Sequence, residues 1–343
     1  HLLALVFLTL LPLVILLVIT VRVDVQRSFE VAERSSVALA EATATSVARF
    51  LRDVEVALTE ITRRPEVLEM DSEPCGSFLR DLTDILPHFA NLFVARTDAE
   101  IVCSALPPAG AAFEAVSDRD WFGSTLEAGR LTIGAPQIGR ITGRWVTVFA
   151  VPVRGTEGET LGVLGASLDL IRFQDFLVAG RAADGSTLTI DDMNGVVVAR
   201  SLDPDAWVGR ALPTSGLPDE VLSLPQGATR AAGAEGVDRV WGFASIPGAP
   251  WRAWAGIPVE QVYRPVRDAA IRKTILVFLA LLMLGGTALV LHRRIRGPLD
   301  TLMAQARRVG RGSTEPLTEE GPREVAELAR QFNDHVVIGV DRS

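Results

Sequence analysis

Two long runs of apolar residues in this chain carry no charged side chain. The first extends from Leu2 to Val21 and the second from Thr274 to Leu291. At a rise of about 1.5 Å per residue, helices of this length are suited to crossing a hydrocarbon core of about 30 Å. The pattern predicts transmembrane helices at 2–21 and 271–291. A signal peptide is the alternative for the first run, but that run exceeds the usual apolar length of about 7–15 residues.

A regular stripe of apolar residues follows the first run. Its members recur at alternating steps of three and four: Val37, Ala40, Ala44, Val47, Leu51, Val54, Leu58 and Ile61. This spacing places them on one face of an α-helix, and the segment contains no glycine before Arg64-Pro65. We predict a stalk helix over 22–64. Its stripe can pack on the domain that follows or against the stalk of a second copy.

Beyond Pro65 the pattern changes to short β-like runs separated by turns, and one arrangement occurs twice. LFVARTDAEIVCSA begins at Leu92 and LTIDDMNGVVVARS at Leu188. Each continues with a polar segment that contains a tryptophan and then with two further β-like runs. Any two β-meanders share some likeness, but matching order is harder to obtain by chance. The pattern predicts an α+β fold with two similar modules on antiparallel sheets, at 65–175 and 176–262.

Two short amphipathic stripes follow the second apolar run. Their residues are spaced 3-4-3: Leu299, Leu302, Ala306 and Val309, then Val325, Leu328, Phe332 and His335. The connector GRGSTEPLTEEG between them is too rich in Gly, Pro and Thr to continue a helix. Because neither helix can bury its stripe alone, we predict a dimeric four-helix bundle and therefore a homodimer.

The charge distribution predicts an orientation in the membrane. The chain has a net charge of −8 and a mean hydropathy of +0.27, an unusual pairing for a soluble acidic protein. Basic residues at 292–296 follow the second apolar run directly, so the C-terminal part is expected inside and residues 22–270 outside. Arg272 and Lys273, on the other side of that run, argue mildly against this. Basic residues cluster only beside the membrane, which favours lipid headgroups over nucleic acid as a partner.

The positions of the cysteines and histidines indicate whether a disulfide or a metal site is expected. Cys75 and Cys103 both fall in the outer segment, where an oxidising compartment permits a disulfide, although two small buried residues are the alternative. The four histidines lack metal-ligand spacing, and GTEGETLGVLG does not follow a βαβ arrangement that would bind a nucleotide. We therefore expect no metal, no cofactor and no catalytic residues in this chain.

The stretch SDRDWF, residues 117–122, is the strongest candidate for ligand binding. Ser117 and Asp120 have the spacing of a capping box, which predicts a helix over 120–128 that ends at Gly129. Arg119 would then lie in the first turn, where free backbone N–H groups and the helix dipole favour an anion. The planar fork of an arginine matches a carboxylate.

Two ordinary structural roles compete with this interpretation. Arg119 can form a surface salt bridge with Asp118 or Asp120, which contributes little. Trp121 can wall a pocket with its apolar face and one N–H donor, or it can be part of the core.

Motifs after the second apolar run carry a resemblance to a known family. Gly297-Pro298-Leu299 and, further on, Pro322-Arg323-Glu324-Val325 are typical of a HAMP domain, in which a proline and a glutamate begin the two helices. With two membrane spans around a tandem PAS-like region, the chain resembles a bacterial transmembrane receptor with a double Cache (dCache) sensor. The resemblance implies a HAMP domain at 292–340 that relays the signal through Pro298 and Glu324. It also implies a two-pass protein of the cell inner membrane with 22–270 in the periplasm.

The resemblance also implies a set of ligand residues in the membrane-distal module, 65–175. In the amino-acid-binding branch of dCache sensors, an R-x-W-aromatic motif is followed on later strands by an aromatic residue and by an Asp that pairs with the ligand amine. Arg119, Trp121 and Phe122 match the motif, and Phe149 and Asp169 fall near the expected strands. From the residues alone, Asp169 can instead cap a following helix. A small carboxylate is better supported than an amino acid, because Phe122 replaces the usual tyrosine.

The function that the resemblance implies is signal transduction. A small carboxylate or amino acid would bind outside, and the second span would relay the signal to the HAMP domain and a cytoplasmic output module or partner kinase or cyclase. The chain itself is then not an enzyme. One alternative is the truncated sensor part of a histidine kinase or diguanylate cyclase whose catalytic domain is missing. Another is a protein without an output of its own that forms mixed dimers with a partner.

Overall fold

The computed structural model describes most of the chain. The described residues are 2–174, 177, 185–212, 223–309, 326–327 and 330–331. Val23–Val266 form one compact unit, and the described residues on either side of it form a second.

Helix α1 (Leu2–Thr62) is the longest element, with 61 residues. Within 23–266 its apolar stripe is the buried face, on which Ala40, Val47 and Leu58 are almost completely covered. The steps of three and four in the sequence therefore predicted both the helix and its packing face correctly. The first apolar run, Leu2–Val21, is helical as the beginning of this same element.

Two helices follow that the sequence pattern did not indicate. These are α2 (Pro65–Leu68), with the proline in its first turn, and α3 (Ser72–Ile85). The prediction of β-like runs directly after Pro65 is wrong for this segment. The apolar positions of α3 are few, and Cys75 and Leu79 are its main buried side chains. In the structure, a disulfide joins Cys75 to Cys103, with the two Cα atoms 5.9 Å apart.

The first module consists of α2, α3, helix α4 (Asp120–Ala128) and an antiparallel sheet. Its strands are β1 (Phe89–Arg96), β2 (Ile101–Ser104), β3 (Thr132–Ile133), β4 (Gln137–Ile138), β5 (Trp145–Arg154) and β6 (Thr160–Asp169). The strand order is β2-β1-β6-β5-β3, and β4 also pairs with β5.

The second module repeats this arrangement with a five-stranded sheet. Its elements are β7 (Thr187–Asp192), β8 (Val197–Arg200), α5 (Pro204–Trp207), β9 (Gln226–Ala232), β10 (Asp238–Ser245) and β11 (Trp251–Pro258). The strand order β8-β7-β11-β10-β9 corresponds strand by strand to that of the first sheet. The internal repeat in the sequence therefore predicted the α+β fold and its two antiparallel sheets correctly.

One face of each sheet packs against α1. The opposite face of each sheet has its own cluster of buried side chains. One continuous core joins the stripe of α1 to the inner faces of both sheets. On β10 the helix approaches especially closely, because a Cβ atom added to Gly242 would lie 2.1 Å from the backbone of Ser36. Only glycine fits this crossing. The opposite faces carry their own clusters, one around Trp121 and one around Trp254.

Helix α6 (Val259–Val309) begins directly after β11 and has 51 residues. At its start Val262 packs with Phe29 of α1 and Val240 of β10. Among the described residues, one segment, Val259–Thr287, is long and apolar enough to cross a membrane by length and composition. Its large side chains are exposed, which suits contact with lipid: Ile275, Leu276, Phe278, Leu279, Leu282 and Met283.

The structure describes one of the two residues that were predicted to begin the HAMP helices. Pro298 lies inside α6, which is continuous from Val259 to Val309, so the prediction that a helix begins at Pro298 is wrong. A proline removes only one backbone hydrogen bond from a helix, and α6 continues across it. Glu324 lies outside the described residues.

Candidate ligand-binding site

A cavity lies on the face of the first sheet that is turned away from α1. Phe93, Val146 and Val148 form its apolar floor, and the cavity volume is about 60 Å³. Polar and charged side chains also line it: Asn91, Glu114, Arg119, Gln137, Arg140, Thr142 and Ser167. An apolar floor with a few convergent polar groups is the usual composition of a small-molecule site.

Helix α4 positions Arg119 at the entrance to its first turn. The helix begins at Asp120, and Arg119 is the N-cap residue in an extended conformation. No side chain caps this end, so the capping box expected from Ser117 is not formed. The helix ends at Gly129 with φ 61°, the left-handed conformation that favours glycine, as predicted.

The guanidinium of Arg119 is half-buried and faces the cavity. Its Nη1 donates a hydrogen bond to Oε1 of Gln137 on β4. Within the described part of the chain it has no ion pair, so the expected alternative of a surface salt bridge with Asp118 or Asp120 is not what the structure contains. An arginine without a carboxylate partner retains donors for an anionic ligand.

Trp121 combines the two roles between which the sequence could not decide. The ring is 4% exposed and packs edge-on against Phe93 and Phe122, with ring centroids 5.7 Å and 6.0 Å away. It also lines the cavity, and its buried Nε1 has no hydrogen-bond partner among the residues that the structure describes. A buried donor without an acceptor costs about 1–3 kcal/mol, and an acceptor atom of a ligand would remove that cost.

Arg140 closes one side of the cavity mouth. Its two Nη atoms donate to the two carboxylate oxygens of Asp118, and its Nε lies 2.9 Å from Oε2 of Glu114. The hydrogen bonds from Arg140 hold the pKa of Asp118 below its ordinary value. Since the charge of Arg140 is already balanced by two carboxylates, Arg119 is the cation of this cavity that is available to a ligand.

Phe122 and Phe149 do not line the cavity. Phe122 is buried beside Trp121 in the cluster beneath α4. Phe149 lies on the opposite face of β5, between Phe89 and Trp251 in the core shared with α1. Because successive residues of a strand point to opposite faces, the neighbouring Val148 faces the cavity instead. The prediction of Phe149 as a ligand residue is therefore wrong by one position in register.

Asp169 is also committed to other contacts. The side chain is 2% exposed, accepts hydrogen bonds from the backbone N–H groups of Ile171 and Arg172, and pairs with Arg144 at 3.0 Å. It therefore has the capping role that the sequence left open, and the assignment to a ligand amine is not supported. Ser167, two residues earlier on the same face of β6, lines the cavity.

Comparison with known proteins identifies the domains. The Cache domain model matches residues 26–266, which is more than half of the chain. The chain belongs to the Cache-domain family. The HAMP domain model matches residues 290–334, so the Cache sensor is followed by the domain that the sequence motifs indicated. A Cache domain followed by HAMP is the arrangement of a signal-transduction receptor, as predicted.

One relative and three solved structures illustrate the similarity. Methyl-accepting chemotaxis protein McpA of Pseudomonas putida is 27% identical over 260 residues, or 71% of this chain. The present chain spans only 37% of the length of that relative.

The solved structures share the Cache fold at low sequence identity. The extracellular domain of the histidine kinase rpHK1S-Z16 has a TM-score of 0.59 at 20% identity and covers 67% of this chain and 96% of its own. The ligand-binding domain of the Pseudomonas aeruginosa chemoreceptor PctB, in complex with L-Arg, has a TM-score of 0.53 at 17% identity, with coverages of 66% and 94%. The sensor domain of the V. cholerae histidine kinase DctB has a TM-score of 0.51 at 14% identity, with coverages of 64% and 95%.

The second Cache module carries buried charges on the face that corresponds to the cavity of the first. Asp191 on β7 accepts a hydrogen bond of 2.9 Å from Nε1 of Trp254. Burial raises the pKa of Asp191 to about 7, and the nearby carboxylate of Asp192 acts in the same direction. The hydrogen bond from Trp254 and the charge of Arg252 oppose this rise without cancelling it. Asp191 is therefore expected to titrate near neutral pH.

The elevated pKa predicts a pH-dependent stability. The folded protein keeps a proton on Asp191 that the unfolded chain releases at its ordinary pKa of 3.8. Stability is therefore expected to fall as the pH rises from about 4 to about 7, by roughly 1 kcal/mol per pH unit from this group. Asp191→Asn should remove this part of the pH dependence of the melting temperature. The exposed Asp238→Asn is the control and should preserve it; an unchanged profile in Asp191→Asn would exclude Asp191 as its source.

Proposed function

We propose that this protein is a membrane receptor whose first Cache module binds a small carboxylate in the Arg119 cavity. Two groups in that cavity support the proposal. Arg119 has no ion-pair partner among the described residues, and Nε1 of Trp121 is buried without an acceptor. Both groups donate hydrogen bonds, and a carboxylate supplies acceptors for both. Arg119 is the decisive observation, because a cavity-lining cation without a carboxylate partner among the described residues retains donors for an anion.

The distribution of charge in the cavity favours a carboxylate over an amino acid. An ammonium group needs an anionic or acceptor partner, and the carboxylates described beside the cavity are already engaged. Glu114 and Asp118 pair with Arg140, and Asp169 pairs with Arg144 and caps a backbone turn. Ser167 and Asn91 offer only neutral contacts to the ligand.

An amino acid is the second candidate. PctB, which shares the fold, is described in complex with L-Arg, and the ligand-binding domain of the Pseudomonas fluorescens chemoreceptor CtaA in complex with L-serine or with L-isoleucine. For an amino acid to bind here, Glu114 would have to leave Arg140 or neutral oxygens would have to hold the amine.

The path from the cavity to the membrane runs through packed helices and sheets. The stripe of α1 contacts the inner faces of both sheets, and Tyr263 near the start of α6 packs edge-on against Phe29 of α1 at 5.1 Å. A ligand that favours one position of α1 over another would thereby alter the contact with α6. Coupling of about 1–3 kcal/mol between ligand and helix position is sufficient for such a switch.

The proposed topology has two membrane spans, formed by 2–21 and 271–291. The apolar character of Val259–Thr287 supports the second span, and the apolar run at the start of α1 supports the first. Residues 22–270 would then lie in the periplasm, and the HAMP domain in the cytoplasm would pass the signal to an output module. We expect the receptor to act as a homodimer, because HAMP helices need a partner to bury their apolar stripes.

A ligand screen tests this function. The purified full chain in detergent is heated in the presence of small carboxylates, amino acids and neutral amides, and the melting temperature (Tm) is recorded. Ligand binding to the folded state raises Tm in proportion to the free-energy gain, about 2.7 kcal/mol at a hundredfold excess over Kd. We expect a rise with at least one carboxylate. A rise only with amino acids would favour the second candidate, and no rise in either group would contradict both.

A further inference from the structure

The second Cache module contains a compact cluster of buried charges on the sheet face turned away from α1. Two of its members are Arg200 at the end of β8 and Arg239 near the start of β10, which are 1% and 4% exposed. The third is Glu235, in the turn between β9 and β10, whose side chain is 20% exposed. These three residues are called the arginine cluster below.

One carboxylate bridges the two guanidinium groups. Nη2 of Arg200 donates to Oε1 of Glu235, and Nε of Arg239 lies 3.9 Å from Oε2 of the same carboxylate. Nη1 of Arg200 also donates to Oγ1 of Thr189 at 2.9 Å, and Nη1 of Arg239 donates to the carbonyl oxygen of Gly185 at 2.9 Å. The neighbours thus fix both arginines in position, and Glu235 is the acidic member between them.

The arginine cluster contains more hydrogen-bond donors than acceptors. Among the described residues, Nε of Arg200, Nε of Arg239 and the hydroxyl of Thr187 are buried without a hydrogen-bond partner, and Oε2 of Glu235 is the one buried acceptor of the cluster that also lacks a partner. Two positive charges face one negative charge, and a buried charge without full compensation is costly. Burial also lowers the pKa of Arg239, an effect that Glu235 opposes and that the nearby charge of Arg200 increases. A further anion would supply the missing charge and the missing acceptors.

The remaining charged groups on this face do not supply that anion. Asp191 accepts the hydrogen bond from the indole of Trp254, and burial raises its pKa to about 7. Arg252 lies over the rings of Phe243 and Trp254, at 5.5 Å and 5.6 Å from their centroids, and its charge acts on Asp191.

The position of Glu235 corresponds to a cavity-lining segment of the first module. Strand β9 matches β3 and β10 matches β5 in the two sheet orders. The turn between β9 and β10 is thus the counterpart of the segment between β3 and β5, which places Gln137 and Arg140 at the cavity of the first module. In the second module this position carries a carboxylate on a turn at the sheet edge, which can move without breaking the central strands.

We infer that the arginine cluster is a second ligand site, which takes a small carboxylate, and that Glu235 occupies it as a tethered substitute when no ligand is bound. The planar forks of Arg200 and Arg239 match carboxylate geometry, as their contact with Glu235 illustrates. A free carboxylate would displace Glu235 or bind beside it and accept from the orphaned Nε atoms and from Thr187. The site is separate from the Arg119 cavity and does not depend on the function proposed for that cavity.

The test uses acetate as the probe. It is carried out on a variant without Arg119, so that binding in the first cavity does not contribute. The purified full chain carrying Arg119→Ala is titrated with potassium acetate at constant ionic strength, and with acetamide in parallel, while Tm is followed. We expect a saturable rise in Tm with acetate and none with acetamide. Adding Glu235→Ala should lower Tm without acetate and should tighten acetate binding about tenfold, because the internal competitor is gone.

Matched variants separate binding from general effects of substitution. Glu157→Ala, in the exposed turn between β5 and β6, is the control and should leave the acetate response unchanged. Glu235→Gln keeps the size of the side chain and should also tighten binding, so the test does not depend on Glu235→Ala folding well. Thr187→Val should preserve Tm, since its hydroxyl has no partner, and should weaken acetate binding.

Two results would overturn the inference. One is the absence of an acetate-dependent rise in Tm in both Arg119→Ala and Arg119→Ala/Glu235→Gln. The other is an acetate response that neither Glu235 variant alters, which would locate the binding elsewhere. Because every sample lacks Arg119, failure here leaves the proposal for the first cavity untouched.

Discussion

Arg119→Ala is expected to weaken the binding of a small carboxylate to the first cavity by about hundredfold, because it removes a bidentate, charge-assisted contact. The fold should tolerate the change. Among the described residues, the guanidinium of Arg119 donates a hydrogen bond to Gln137 and forms no ion pair. Loss of one half-exposed hydrogen bond is expected to alter the free energy of unfolding by no more than about 1 kcal/mol. Titration of the full chain with a carboxylate that raises Tm measures the loss directly.

The matched control for this variant is Arg130→Ala. Arg130 lies two residues beyond the end of α4, is exposed, and carries the same charge. If the effect of Arg119 arose from general attraction of an anion to a positive surface, both variants would weaken binding equally and high salt would reproduce the loss. A specific contact requires that Arg130→Ala bind as tightly as the unaltered protein. Full retention of binding in Arg119→Ala would exclude the cavity as the site.

Removal of the disulfide is expected to be the most destabilising change in the first module. Cys75 and Cys103 are 28 residues apart in the sequence. A cross-link closing a loop of that length stabilises the folded state by about 3–4 kcal/mol, mainly by restricting the unfolded chain. The double variant Cys75→Ala/Cys103→Ala should therefore show a clearly lower Tm. The loss should also loosen α3, which the bridge holds against β2 at the edge of the sheet.

Reducing agent provides the internal control for this prediction. It should lower Tm of the unaltered protein to nearly the value of the double variant, and it should leave the double variant unchanged. Labelling of the unreduced, denatured protein with a thiol reagent should detect no free cysteine. Detection of two free thiols per chain would show that the bridge does not form, and no loss of stability would then be expected from its removal.

Periodic features of the sequence predicted most of the fold. The stripe from Val37 to Ile61 identified the buried face of α1, because side chains three and four apart share one side of a helix. Gly129 marked the end of α4, since only glycine adopts the left-handed conformation there without strain. The order of strands and turns, repeated after Leu188, predicted two sheets of the same topology.

Features set by tertiary contacts could not be predicted in this way. The close approach of α1 to β10 at Gly242 depends on two elements about 200 residues apart and leaves no local pattern. Phe149 was predicted as a ligand residue from the family resemblance, but it lies on the core face of β5, and the sequence could not show this because that strand is apolar on both faces. The carboxylate of Asp169 caps the backbone turn that follows it, and these hydrogen bonds compete with binding of a ligand.

The candidate site was predicted in part. The sequence identified Arg119 and Trp121, because an arginine and a tryptophan near a helix start suggest an anion pocket on local grounds. The sequence could not indicate which of their polar groups lacks a hydrogen-bond partner. Gln137 contacts Arg119, and Phe93 contacts Trp121, only in the folded chain. The arginine cluster of the second module was missed for the same reason. Arg200, Glu235 and Arg239 are widely spaced in sequence and meet only across the sheet.

The most direct measurement of the proposed recognition is a calorimetric titration of the full chain with one carboxylate and, separately, with the primary amide of the same acid. The two compounds have nearly the same size and shape and differ in charge. We expect the carboxylate to saturate a site that Arg119→Ala removes, and the amide to bind that site about a hundredfold more weakly or not at all. Equal binding of acid and amide, or binding of the acid that persists without Arg119, would contradict recognition of a carboxylate by this cavity.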